Sequence, residues 1–129
     1  MNYSRVLILD FGSQVTKFIA RKIRELNIYC EILPYKTNIK NIKQISPACI
    51  ILSGSPASVH DKKPPKPDLN IFDLDLRILG ICYGAQLMAL KYGLDIENDS
   101  NREYGKSIVT INEDILFTNI PKTIYVWMS

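Results

Sequence analysis

The segment Gly80-Ile81-Cys82-Tyr83-Gly84 sets a thiol between two glycines, each two residues away. A cysteine nucleophile has to be lifted out of the backbone on a sharp turn, and small flanking residues let that turn pass neighbouring chain without collision. The pattern is the cysteine form of a nucleophile elbow. Residues 77–81 read as a buried strand and residues 83–92 as a helix. Cys82 would therefore stand at a helix N-terminus, where unpaired backbone N–H groups and the helix dipole stabilise negative charge on sulfur. This makes Cys82 a candidate covalent nucleophile; the competing reading is a structural cysteine beside two turn glycines. Ser53-Gly54-Ser55-Pro56 supplies a second element of the same chemistry. Acyl transfer needs N–H donors aimed at a developing oxyanion, and a tight glycine-containing turn can present them. The backbone N–H groups of Ser55 and Tyr83 are the candidates, against the plainer reading of a surface turn.

Both segments need a scaffold that brings them to one edge. Residues 5–11 hold Val6, Leu7, Ile8 and Leu9 in succession, the continuous apolar run of a strand covered on both faces. Gly12 and Ser13 then offer a turn and a helix N-cap. Val15, Phe18, Ile19, Ile23 and Leu26 follow at helical spacing, with Lys17, Arg21, Lys22 and Arg24 mostly opposite. A second strand is expected over 28–33 and is stopped by Pro34. Ile39, Ile42 and Ile45 predict a short helix that ends at Pro47, before a third strand over 48–53. Strands separated by helical patterns imply right-handed crossovers in a parallel sheet, so the expected class is α/β, doubly wound, with helices on both faces. The long loop 53–69 leaves the carboxyl end of a strand, where such folds commonly build their sites. Two further strand-like pieces, 107–111 and 124–128, alternate less cleanly.

The 129 residues limit the chain to one domain, and 47% hydrophobic with 22% charged residues is ordinary globular make-up. Apolar runs 6–9 and 48–52 are far below the ~20 residues of a membrane-spanning helix, and no signal-peptide pattern opens the chain. The expectation is a cytoplasmic protein that engages no membrane. A net charge of +3 is modest and dispersed. The densest basic patch, Lys62, Lys63 and Lys66, lies among Pro64, Pro65 and Pro67, which marks a solvated loop, and no nucleic-acid partner is expected. Three cysteines without a CxxC spacing indicate neither a disulfide framework nor a zinc site. Cys30 and Cys49 fall in apolar strand-like runs and behave as small hydrophobes.

Five segments, in order, then carry a resemblance: Leu9-Asp10-Phe11-Gly12-Ser13-Gln14, Ile51-Leu52-Ser53-Gly54-Ser55-Pro56, Gly80-Ile81-Cys82-Tyr83-Gly84-Ala85-Gln86, Arg102-Glu103-Tyr104-Gly105 and Val126-Trp127-Met128-Ser129. Over essentially the whole chain these resemble the amino-terminal, class I glutamine amidotransferase domain of the GMP synthase family. The resemblance implies a flavodoxin-like amidotransferase fold missing its C-terminal part, with residues 1–129 as a partial domain and no synthetase domain. It also implies hydrolysis of L-glutamine through a thioester on Cys82, the ammonia going to a GMP synthetase (ATP pyrophosphatase) domain or subunit that aminates XMP. Gln86, one helical turn beyond Cys82, resembles the family's contact to substrate glutamine, against a solvated helix glutamine. Gly54 is expected to allow close approach of substrate. No cofactor belongs to this part; ATP and Mg would belong to the synthetase, and no ATP-binding glycine-rich loop or metal site is visible. Where the family often has a second glycine in the oxyanion turn, this chain has Ser55, which a backbone donor tolerates only at negative φ.

A thiol nucleophile also needs a general base. The family's catalytic His-x-Glu pair lies some tens of residues beyond the Val-Trp-Met-Ser match, and this chain has one histidine, His60, in the polar Pro/Lys loop with no counterpart among the family's catalytic residues. The first expectation is an enzyme by family whose 129 residues alone are inactive. The alternative is a non-catalytic amidotransferase-like subunit that binds glutamine or a synthetase, and a third is a gene product without function.

Overall fold

In the computed structural model, which describes residues 4–96 and 105–128, the apolar runs become strands. Arg102, Glu103 and Tyr104 of the fourth resembling segment, and Ser129 of the fifth, lie outside the described residues. The chain divides into two units, Met1–Ile96 and Glu97–Ser129.

The first unit is built on four parallel strands, β1 (Arg5–Asp10), β2 (Tyr29–Pro34), β3 (Cys49–Leu52) and β4 (Arg77–Gly80), in the order β2-β1-β3-β4. Helices α1 (Thr16–Glu25), α2 (Ile39–Ile45) and α3 (Tyr83–Lys91) connect or follow them. Because side chains alternate across a strand, β1 feeds two cores. Leu7 and Leu9 join Ile50, Leu52, Ile42 of α2 and Leu87 of α3 on one face. Ile8 joins Cys30, Ile51 and Ala20 of α1 on the other. Helices therefore cover both faces, as a doubly wound sheet requires, and Leu7, Ile8 and Leu9 are fully buried. Among the described residues no helix is long and apolar enough to cross a membrane.

Helix α1 departs from the sequence expectation in two ways. Its inward stripe is Thr16, Ile19, Ala20 and Ile23, while Val15, Phe18 and Leu26 are exposed. Both sets have helical spacing; the small Ala20 lets the helix approach the sheet, and the Thr16 hydroxyl finds Asp10 Oδ1 at 3.2 Å. Ser13 does not cap the helix but closes the turn before it, its Oγ accepting from the Val15 N–H at 3.0 Å. Helix α2 is capped by Asn38, whose side chain accepts from the Asn41 N–H at 2.8 Å. The loop after β3 contains a short 3-10 helix, Leu69–Asp73, that buries Ile71 and has no clear signature in the sequence.

In the second unit β5 (Gly105–Thr110) and β6 (Thr123–Met128) pair antiparallel as a two-stranded sheet of their own. A 3-10 turn, Ile115–Phe117, lies between them, with Asp114 accepting from the Leu116 N–H at 2.9 Å.

Candidate functional site

Strand register decides which turns meet. Leu9 pairs with Leu52 across β1 and β3, and Leu52 pairs with Gly80 across β3 and β4. The three strands end level, so the turns that follow them, at 10–13, 53–56 and 81–83, open side by side at the carboxyl edge of the sheet. The Ser53 N–H donates to Leu9 O at 3.2 Å and the Ile81 N–H to Leu52 O at 3.0 Å, which carries the pairing one residue past the strands.

Cys82 is exposed and is the N-cap of α3, with φ 52° and ψ −113°. A non-glycine residue there is strained by about 1–3 kcal/mol, and the surroundings must hold it. They do so through the two flanking glycines. A Cβ on Gly80 would lie 2.7 Å from the Ala85 nitrogen and 2.8 Å from its Cα; one on Gly84 would collide with the carbonyl and Cβ of Leu52. Strand-to-helix packing this close is open only to glycine, and it forces the chain to reverse at Cys82. The Gly84 N–H closes the turn onto Ile81 O at 3.0 Å.

Gly54 is buried beside the thiol. A Cβ on it would sit 3.6 Å from Cys82 Cβ and 3.6 Å from Ser13 Oγ, so the missing side chain leaves a crevice between those two residues. Ser55 is not among the residues at positive φ, and its Oγ accepts from the Ala57 N–H at 3.0 Å. The serine thus replaces a second glycine without left-handed strain. Among the described residues neither the Ser55 nor the Tyr83 N–H donates a hydrogen bond. Gln86 is half-buried one turn along α3, its N–H bonded to Cys82 O at 3.1 Å.

Three neighbours escaped the sequence reading as parts of the site. The Ser53 hydroxyl, fully buried, accepts from the Phe11 N–H at 3.2 Å and reaches Gly54 O at 3.3 Å. Asp10 accepts from the Gly12 N–H at 2.8 Å and so shapes the first turn. The Tyr83 side chain packs on Phe11, ring centres 5.5 Å apart, and its hydroxyl donates to Pro65 O at 2.6 Å, tying the long loop to α3. Burial, with Asp61 and Tyr35 nearby, pushes the Tyr83 phenol up. Ser-Gly and Tyr beside the motif cysteine were visible, but their partners lie 42 and 18 residues away in sequence. His60 is exposed, in a turn where its N–H donates to Ser58 Oγ at 3.2 Å. The described residues hold no cluster of three metal-ligating side chains.

The first unit is thus a doubly wound α/β sheet with a strained cysteine at a strand-to-helix turn, and the family profile of glutamine amidotransferase class-I matches residues 7–129. The chain belongs to that family. More particularly, it is 47% identical over 130 residues to the GMP synthase [glutamine-hydrolyzing] of Natranaerobius thermophilus, covering 100% of this chain and 26% of the relative. It is 53% identical over 125 residues to that of Caldanaerobacter subterraneus, covering 96% and 24%. The chain spans about a quarter of the length of the curated relatives it matches. A solved structure from Thermoplasma acidophilum, assigned as one subunit of a GMP synthase, superposes with TM-score 0.73 at 26% identity, covering 98% of this chain and 64% of that one. A glutamine amidotransferase from Thermotoga maritima shares the fold, with TM-score 0.70 at 19% identity, covering 98% and 60%.

Proposed function

We propose that the chain is the glutamine-binding, nucleophile-bearing part of an amidotransferase that supplies ammonia for the amination of XMP to GMP. The backbone of Cys82, at φ 52° as the N-cap of α3 with Gly54 beside its Cβ, is the observation that carries the reading. A strained, exposed cysteine held by two glycines is a costly arrangement that serves little besides presenting its sulfur. The glutamine-hydrolysing activity for which the relatives are named supplies the substrate class.

In this reading Cys82 Sγ attacks the side-chain amide carbon of L-glutamine. A carbon–sulfur bond forms and the carbonyl electrons move to oxygen, where the Ser55 and Tyr83 N–H groups stabilise the charge. Collapse breaks the carbon–nitrogen bond and releases ammonia once the nitrogen has taken a proton, leaving a glutamyl thioester that water cleaves to glutamate. Gln86 contacts the substrate, and the crevice at Gly54 admits its carbonyl. The ammonia goes to a synthetase domain or subunit, to which ATP and Mg belong. Proton transfer at the nitrogen and activation of water both require a base. The one histidine of these 129 residues is exposed in the 53–69 loop, so the 129 residues alone acylate without efficient turnover.

The test is covalent labelling of the purified chain with a chloroketone analogue of glutamine, located by peptide mass spectrometry. Label on Cys82, slowed by L-glutamine and not by D-glutamine, is the expected result. Absence of label, or label distributed over Cys30 and Cys49 without protection, sinks the reading. Steady glutamate production by the 129 residues that Cys82→Ala abolishes would overturn the part of it that concerns the base.

A further inference from the structure

Ser53 occupies a position in the site that neither motif nor exposure suggests. Its side chain has no access to solvent, so it touches no substrate, yet its hydroxyl lies between two backbone groups from different turns. It accepts from the Phe11 N–H, at the end of β1, and faces Gly54 O at 3.3 Å, longer than the ~2.5–3.0 Å usual for an O–H···O bond. Gly54 O and the Ser55 N–H belong to the same peptide unit. In a trans peptide the C=O and N–H point to opposite sides, so fixing one fixes the other.

The residue before that peptide bond is glycine, which resists rotation of the unit least. If the Gly54–Ser55 peptide turned over, its carbonyl oxygen would point where the N–H had been. A donor to a developing negative charge would become a partial negative charge against it. The Ser55 hydroxyl does not prevent this, because it is engaged with the Ala57 N–H on the far side of the turn. Ser13, the other neighbour, has its Oγ 3.6 Å from where a Cβ on Gly54 would stand, and that Oγ accepts from the Val15 N–H.

We propose that Ser53 is a positioning residue whose buried hydroxyl locks the Gly54–Ser55 peptide with its N–H toward the acylation site, using the Phe11 N–H on β1 as its anchor. The inference rests on the amidotransferase reading above and deepens it. The lock acts on the transition state, where charge develops on oxygen, and leaves ground-state binding of glutamine nearly untouched. Its loss therefore appears in the maximal rate of acylation and not in apparent affinity.

The experiment compares the full chain with Ser53→Ala and Ser53→Thr, reading the rate at which an activated γ-glutamyl aryl ester labels Cys82 by acylation, with release of the aryl alcohol, against its concentration. Reaction of Cys82 with iodoacetamide, which needs no such donor, is measured alongside. The lock predicts that S53A lowers the saturating rate ~10-fold or more, below the ~10²–10³ seen when a donor is deleted outright, because the peptide still samples the right orientation. Half-saturation and the iodoacetamide rate stay within about threefold, and S53T, which keeps the hydroxyl, restores the rate. Equal saturating rates in wild type and S53A overturn the lock, as does a parallel fall in both reagents, which marks a merely structural serine. Should S53A not fold, S53T decides: a rate within about threefold of wild type supports the lock, and a tenfold loss overturns it. Wild-type chain that takes no label at Cys82 overturns the amidotransferase reading itself, whereas label on wild type with no S53A effect overturns the lock alone.

Discussion

Replacing Cys82 by glycine should make the first unit more stable, which is the reverse of what glycine does almost everywhere else. The residue sits at φ 52°, ψ −113°, outside the small left-handed basin that side chains tolerate. Strain of this kind costs about 1–3 kcal/mol, and glycine removes nearly all of it. Against that stands the extra freedom glycine gives the unfolded chain, about 0.4–1 kcal/mol. The side chain itself is exposed, so little packing is lost with it. The balance is a gain of about 0–2.6 kcal/mol. Cys82→Ala is the proper reference, because it removes the sulfur and keeps the Cβ that causes the strain. Urea denaturation followed by circular dichroism should place the midpoint of C82G above that of C82A at equal slope. In thermal melts the separation should be about 4–8 °C per kcal/mol for a unit of this size. Both variants lose the labelling described above, which separates stability from chemistry. A C82G that is less stable than C82A by about 0.5 kcal/mol or more refutes the claim that the elbow is strained.

Two further predictions concern the packing and the titration of the same sheet. Gly84→Ala should destabilise by about 1–3 kcal/mol in urea titration, since the added Cβ falls on the Leu52 carbonyl and the backbones must part; an unchanged midpoint refutes the close approach. Cys49 is half-buried, and that burial pushes its thiol up, with Arg77 pulling it partly back. A folded value above the unfolded one gives stability that is complete below the unfolded thiol value and is lost as pH rises through the folded one. The stability of wild type relative to Cys49→Ser should therefore fall with pH above about 8.5, where an unfolded thiol ionises, and a relative stability that rises instead contradicts it.

Much of this architecture was legible because it is written locally. The run Val6 to Leu9 has no polar face, and a strand without one must be covered twice, which leads to the doubly wound sheet. Cys82 and its two glycines lie within five residues, so the elbow could be read before any fold was known. The facing of helix α1 was not legible, because two stripes share the same period and only the sheet chooses the one with Thr16 and Ala20. The last two strands gave a weak alternation, and they pair with each other and not with the parallel sheet. Ser53, Asp10 and the Tyr83 hydroxyl were not legible as site residues, since what they do depends on which strand lies next to which. A hydrogen bond between Phe11 and Ser53 spans 42 positions and exists only because Leu9 and Leu52 are in register.

That register also sets the terms on which the chemistry can be completed. The carboxyl edge of β1, β3 and β4 brings together the Cys82 thiol, the Ser55 and Tyr83 N–H groups, which have no partner among the described residues, and the space beside Gly54, every one of them from residues 9 to 86. All are either backbone or a single sulfur. In the proposed reading such a set binds a carbonyl and stabilises its oxyanion, while the one histidine of the 129 residues, His60, is exposed in the 53–69 loop. A thiol gives up its proton far more readily than the water that must cleave the thioester, so the second half of the cycle suffers most when the base is missing. In the proposed reading, adding a separately made polypeptide that carries a histidine–carboxylate pair should therefore accelerate thioester hydrolysis far more than thioester formation. Quenched-flow measurement of the two steps resolves this; equal acceleration of both contradicts the prediction, and acceleration of neither would mean that the edge described here already holds its own base.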